Sequence, residues 1–131
     1  MILDTSAIIA VLLSEPDADL YQQKMLEAGY VCVCAATLAE TYIVVKAKFP
    51  DRDRAETDAK VNRLLELVDA EVLPFTPEMS KGASDAFAQF GRNHPANLNL
   101  GDCMSYAAAK QSGEPLLFKG EDFMQTDIAA V

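Results

Sequence analysis

The 131-residue sequence has no tryptophan, one histidine and three cysteines. The histidine, His94, sits in the loop-like stretch Asn93-His94-Pro95. Mechanisms that need two imidazoles are therefore excluded, and a Ser-His-Asp triad would have only this residue to draw on. Cys32, Cys34 and Cys103 are odd in number, without paired spacing or partner histidines. They fit neither a disulfide framework nor a zinc site, and read as small apolar residues in a reducing compartment. Long hydrophobic runs are also missing: the longest aliphatic run, Ala7–Leu13, is seven residues, against the ~20 needed to span a bilayer. Met1-Ile2-Leu3-Asp4 lacks the basic start of a secretory signal, so a cytoplasmic location is expected. Basic side chains are scarce too, with 11 Lys and Arg against 20 Asp and Glu, a net charge of −9. Most of the surface should repel nucleic acid, which binds chiefly through phosphate neutralisation. The one basic-leaning stretch, Lys46 to Arg63, carries six basic residues against four acidic ones. By itself it reads as a solvated helix face.

The composition is that of a compact fold, half apolar and a quarter charged. The length suits a single domain, residues 1–131. Short apolar runs alternate with helical patterns. Strands are expected at Ile2-Leu3, Tyr30–Cys34, Glu71–Phe75 and Leu116–Phe118. Helices are expected over Ser6–Leu13, Ser14-Glu15-Pro16 to Ala28, Ala35–Phe49, Arg52–Val68, Thr76-Pro77-Glu78 to Gly91, and Gly101–Gln111, the last closed by Gly113. Residues 93–100 read as a loop, and the tail from Gly120 as loop or a single helical turn. Alternation of this kind implies an α/β fold with a mainly parallel sheet covered on both faces. Ligands of such folds sit outside the carboxyl ends of the strands, where the strand order reverses.

Four acidic residues stand in places that matter under that rule. Glu40 lies on a helix that from Ala35 to Val45 is apolar nearly all round, broken only by Thr37, Glu40, Thr41 and the hydroxyl of Tyr42. Such a helix is expected to be buried, and a buried carboxylate must be paired, protonated or metal-bound. An exposed stripe on the helix is the plainer alternative. Asp4 ends the first strand and could simply cap the next helix. Asp102 falls in a first helical turn, where the macrodipole favours any carboxylate. Asp122 follows the fourth strand, where an Asx-turn would explain it. Each residue alone is ordinary, but all four can converge on one rim of the sheet. Two charges 4 Å apart repel by ~4 kcal/mol at an effective dielectric of ~20, so the cluster is tolerable only if protonated or neutralised by a cation. Oxygen-only ligands select a hard ion, Mg²⁺ or Mn²⁺. Such an ion can activate a water for in-line phosphodiester displacement without a histidine.

Four blocks resemble PIN-domain proteins, particularly VapC-type toxins of toxin–antitoxin pairs. They are Met1–Ala7 (MILDTSA), Ala35–Glu40 (AATLAE), Asn99–Ala107 (NLGDCMSYA) and Phe118–Ile128 (FKGEDFMQTDI). They occur in the family's order and cover essentially the whole chain. The resemblance implies a three-layer α/β/α PIN-like fold and an Mg²⁺- or Mn²⁺-dependent endoribonuclease. It further implies a homodimer and a cognate antitoxin whose C-terminal segment blocks the active site. Matched position by position, Asp4, Glu40, Asp102 and Asp122 would be the catalytic, metal-holding acids, and Thr5, Ser6 and Thr126 would orient them. The chain departs from the pattern after the Glu40 helix, where an arginine is expected and Lys46 and Lys48 stand instead; lysine is the poorer bidentate phosphate ligand. Lys46, Lys48, Arg52 and Lys119 are the candidates to line the cleft and steer RNA.

Other readings fit less well. A phosphoacceptor receiver domain needs an acidic pair after the first strand and an aspartate after the third. Here Asp4 stands alone, and Pro74-Phe75-Thr76 follows the third strand. An aspartyl-nucleophile phosphatase wants Asp-x-Asp where this chain has Asp-Thr-Ser. A catalytically silent PIN-fold binding module is the alternative from another class, and DNA as substrate stays open. The apolar helices Ala7–Leu13 and Ala35–Phe49 also suggest a self-association surface.

Overall fold

A computed structural model describes residues 1–131. Four short strands, β1 (Ile2–Leu3), β2 (Cys32–Cys34), β3 (Glu71–Leu73) and β4 (Leu116–Leu117), pair in the order β3-β2-β1-β4, every pair parallel. Six helices surround them: α1 (Thr5–Leu12), α2 (Ala18–Glu27), α3 (Ala35–Lys48), α4 (Arg54–Leu67), α5 (Pro77–Phe90) and α6 (Leu100–Ser112). A 3₁₀ turn over Asp122–Gln125 follows β4.

Because successive strand side chains point to opposite faces, the sheet divides the core in two. Ile2, Cys32, Cys34 and Leu116 pack with α5 and α6, while Leu3, Val33 and Leu117 pack with α1, α2, α3 and α4. The result is a three-layer α/β/α arrangement. The three cysteines are buried in the α5/α6 layer and unbridged, and the thiol of Cys103 is pushed up to about 11, chiefly by burial. No helix is long and apolar enough to cross a membrane.

Local chemistry sets the helix ends. Asp4 caps α1 by accepting from the Ser6 amide. Thr76 accepts from the Met79 amide ahead of Pro77 at the start of α5. Gly113 closes α6 in the left-handed region, at φ 71°, which glycine adopts without penalty.

Several expected boundaries shift. The strands are shorter: β2 begins at Cys32 rather than Tyr30, and β3 stops at Leu73 rather than Phe75. Helix α2 starts at Ala18, because Glu15-Pro16-Asp17 forms the turn before it. The largest correction concerns α3. Its buried positions are Thr37, Thr41 and Val45, whereas Ile43 is 68% exposed and Ala39 and Ala47 face solvent. Hydroxyl contacts explain the inversion: Thr37 Oγ1 meets Ser105 Oγ of α6 at 3.0 Å, and Thr41 donates to the Thr37 carbonyl at 2.9 Å. Short β-branched side chains fill this seam, Leu38 and Val44 pack half-buried against the other core layer, and Ile43 is left outside. On α1, Ala7, Ile8, Ile9 and Ala10 are buried, while Val11, Leu12 and Leu13 at its end are half-buried.

The two sheet edges differ. Beyond β4 the chain's own tail covers the edge, with Leu116 bridging Ala130 in parallel register and bonding the backbones of Ala129 and Val131. β3 pairs on one side only, and Val72 is 47% exposed.

Candidate active site

The chain runs from β1 through β2 to β3 in one direction, then returns to the other side of β1 as β4. The order therefore reverses between β1 and β4, and the crevice at their carboxyl ends is the place to look. Asp4 leaves β1 there and is buried at 4% exposure. Its Oδ2 accepts from the Ser6 amide at 2.9 Å and from the Ser6 hydroxyl at 2.6 Å. Its other oxygen has no protein partner and is open to solvent. Ser6 Oγ in turn accepts from the Lys119 amide at 2.9 Å, which stitches the exit of β4 to that of β1.

Glu40, on the second turn of α3, is half-buried rather than enclosed by apolar side chains. Thr5 donates to its Oε2 at 2.7 Å, and its carboxylate lies flat against Gly101. A Cβ on residue 101 would come within 2.3 Å of Glu40 Oε1. Gly101 was not among the residues singled out from the sequence. The available signal was a glycine inside a first helical turn, where it costs up to about 1 kcal/mol relative to alanine.

Asp102 occupies the third position of α6 in a reciprocal capping box with Asn99. The Asn99 side chain accepts from the Asp102 amide at 3.0 Å, and the Asn99 amide donates to Asp102 Oδ2 at 2.8 Å. Its ordinary role as a helix-terminal acid is thus real, and it holds the carboxylate at the rim. Burial first, then the charges of Asp4, Asp122 and Glu40, raise the Asp102 carboxyl to about 6, against the opposing Asn99 amide bond. Asp122 opens the 3₁₀ turn on the exposed side, next to a recess of about 700 Å³ lined by Pro95, Gly120, Glu121, Asp122, Met124 and Gln125.

All four acids face one rim, yet as the side chains lie no three form a closed chelating group. None of the four is paired with a lysine or arginine, although seven other carboxylates hold a cation. The donors are all oxygen, with one Asp4 oxygen free of protein partners. That chemistry suits a hard divalent ion rather than a soft one.

The other expected site residues divide. Ser6 orients Asp4 and Thr5 orients Glu40, as described. Thr126 does not reach a carboxylate: its hydroxyl donates to the Phe123 carbonyl at 2.7 Å and accepts from the Ile128 amide, closing the 3₁₀ turn. Lys119 is held by Glu15 and Asp17. Lys46 turns away to the carbonyls of Pro50 and Arg52, Arg52 lies near Glu56 and over the Phe49 ring, and Lys48 is exposed. On a helix rising 1.5 Å per residue, Lys46 and Lys48 lie roughly 9–12 Å along α3 from Glu40. As the side chains lie, three of these four residues are engaged with protein partners, and only Lys48 is without one. His94 staples its own loop, with Nδ1 accepting from the Ala96 amide.

Known proteins resemble this chain over its whole length. The PIN domain family model matches residues 1–129. A ribonuclease VapC of Mycolicibacterium smegmatis is 41% identical over 132 aligned positions, covering 100% of this chain and 99% of the relative. Among solved structures, Mycobacterium tuberculosis VapC20, described as a sarcin-ricin loop cleaving toxin, superposes with a TM-score of 0.76 at 19% identity, covering 99% and 97% of the two chains. VapBC2 of Rickettsia felis, crystallised with a DNA fragment from its promoter, gives 0.73 at 14%, covering 98% and 94%. By fold and by sequence, then, the chain belongs to the PIN-domain family, in the company of the VapC ribonucleases.

Proposed function

We propose that this protein is an Mg²⁺- or Mn²⁺-dependent endoribonuclease, the toxin of a type II toxin–antitoxin pair. The observation that carries this reading is the rim of four carboxylates without a cationic partner, one of them raised to about 6, in a chain whose relatives are named ribonucleases. Asp4, Glu40 and Asp102, with Asp122 at the edge, would hold the metal. A divalent ion held by these carboxylates would supply an activated water and charge stabilisation at the phosphate oxygens. The chain's own work is positional. Ser6 fixes one face of Asp4, Thr5 turns Glu40 toward Gly101, and the capping box holds Asp102 at the head of α6.

An antitoxin partner is supported by the likeness to VapBC2. A homodimer is supported by the exposed apolar side of α3 around Ile43, and a cytoplasmic location by the three unbridged, buried cysteines. The decisive experiment is cleavage of a panel of structured RNAs, including tRNAs, with mapped ends, alongside DNA strands of matching sequence. Cleavage of RNA that needs Mg²⁺ or Mn²⁺ and is lost in Asp4→Asn is expected. Activity equal in both proteins, or absent from both, would leave a silent binding module as the better reading.

A further inference from the structure

Lys119 stands where a phosphate ligand would be wanted, but its ammonium is already engaged. It lies 2.5 Å from both Glu15 and Asp17 on the α1–α2 turn, about a hundred residues away in sequence. The three side chains are about one-third exposed and together carry a net charge of −1, so the group offers little attraction to an RNA backbone. The turn that presents the two acids is specifically shaped. Ser14 takes a left-handed conformation at φ 53°, which costs a non-glycine residue about 1 kcal/mol or more, and the Glu15 amide bonds back to the Ala10 carbonyl at 3.0 Å.

The backbone of Lys119 has a separate task. Its N–H donates to Ser6 Oγ, and the Ser6 hydroxyl donates to Asp4 Oδ2. Immediately afterwards Gly120 sits at φ 104°, a conformation open essentially to glycine and a natural pivot. The Lys119 side chain ties the exit of β4 to the α1–α2 turn just before this glycine, and its backbone N–H carries that restraint to Ser6.

We infer that Lys119 is a positioning residue for the Asp4 carboxylate, anchored by Glu15 and Asp17 and acting through Ser6, and is not a ligand for RNA phosphate. The inference rests on the reading above that Asp4 holds a divalent ion. Its sign separates it from simple electrostatics. A lysine acting only by its charge repels a bound cation, so its removal would tighten metal binding; a lysine that holds Asp4 in place weakens binding when removed.

The test is Mn²⁺ binding to the full-length protein, read by electron paramagnetic resonance of the free ion without RNA. Partners of metal-holding side chains are typically worth 10–100-fold in affinity, so Lys119→Met is expected to weaken binding about tenfold, and Lys119→Arg to restore most of it. Ser6→Ala should weaken binding similarly, and the double variant Ser6→Ala/Lys119→Met no further than Ser6→Ala alone, because both act through one chain of bonds. If Lys119→Met does not fold, Lys119→Gln gives the same comparison with a smaller loss of side chain. Unchanged or tighter binding in the lysine variants, or fully additive losses in the double variant, overturns the inference. Asp4→Asn is the separate control: if it binds Mn²⁺ like the unaltered protein, the metal site itself is misread.

Discussion

At the scale of single residues, a missing side chain sets the position of a present one. The carboxylate of Glu40 occupies space that any Cβ on residue 101 would enter. Gly101→Ala should therefore displace Glu40 and reduce RNA cleavage at least tenfold. Thermal stability should hold or rise slightly, since alanine is the better helix former. Cleavage rates and melting curves on the same preparation check this, and full activity in the variant would remove Glu40 from the machinery. Asp102 gives a second prediction. Its carboxyl is raised from 3.8 to about 6 in the folded protein, mainly by burial, so between those values the folded state binds the proton more tightly than the unfolded chain. Its contribution to stability is therefore greatest in acid and is lost as pH rises from about 4 to about 6. In Asp102→Asn, whose amide oxygen can still accept the Asn99 N–H, that loss disappears. Urea unfolding at intervals from pH 4 to 7 with a chelator present should show the difference between the two proteins widening in favour of the variant as pH rises.

Among the elements, α3 departs most from its sequence pattern. Hydrophobicity alone places its aliphatic residues inside, yet the buried stripe is Thr37, Thr41 and Val45. The reason is pairwise: Thr37 finds Ser105 sixty-eight positions away, and no local pattern announces that bond. Thr37→Val should cost about 1–3 kcal/mol, because it strands the buried Ser105 hydroxyl. Thr37→Val/Ser105→Ala should recover part of that loss, since neither partner is then left unsatisfied. A double-mutant cycle by chemical denaturation measures the coupling. The same distinction between local and distant partners explains what was legible beforehand. Asp4 and Asp102 announce themselves through neighbours within three residues, and the order of strands and helices follows from alternation and caps. Lys119 and Thr126 could not be read that way. The partners of Lys119 lie on the α1–α2 turn, about a hundred residues away in sequence, and Thr126 serves a turn built around the buried Phe123.

For the whole molecule, charge is the governing quantity. A net −9 makes a rim of unpaired acids a liability that a bound divalent ion would relieve. At about 100 times its dissociation constant, Mg²⁺ or Mn²⁺ should stabilise the fold by ~2.7 kcal/mol, a rise in melting temperature on the order of 10 °C for a chain of this size. A chelator should reverse it, and Asp4→Asn should show little of it. No metal-dependent rise in the unaltered protein would count against an ion at the rim. The parallel sheet and its flanking layers were evident from the sequence, but the distribution of charge was not. In sequence Lys46, Lys48, Arg52 and Lys119 are the candidates to line the cleft, whereas in the fold Lys46 reaches the carbonyls of Pro50 and Arg52, Arg52 lies beside Glu56 and Phe49, and Lys119 is held by Glu15 and Asp17.

The unequal edges of the sheet bear on how the protein behaves in concentrated solution. With β4 shielded by the tail and β3 paired on one side only, runaway strand addition has a single growing end, so an engineer seeking longer shelf life need alter only one border, and a lysine in place of Val72 would blunt it at the edge opposite β4.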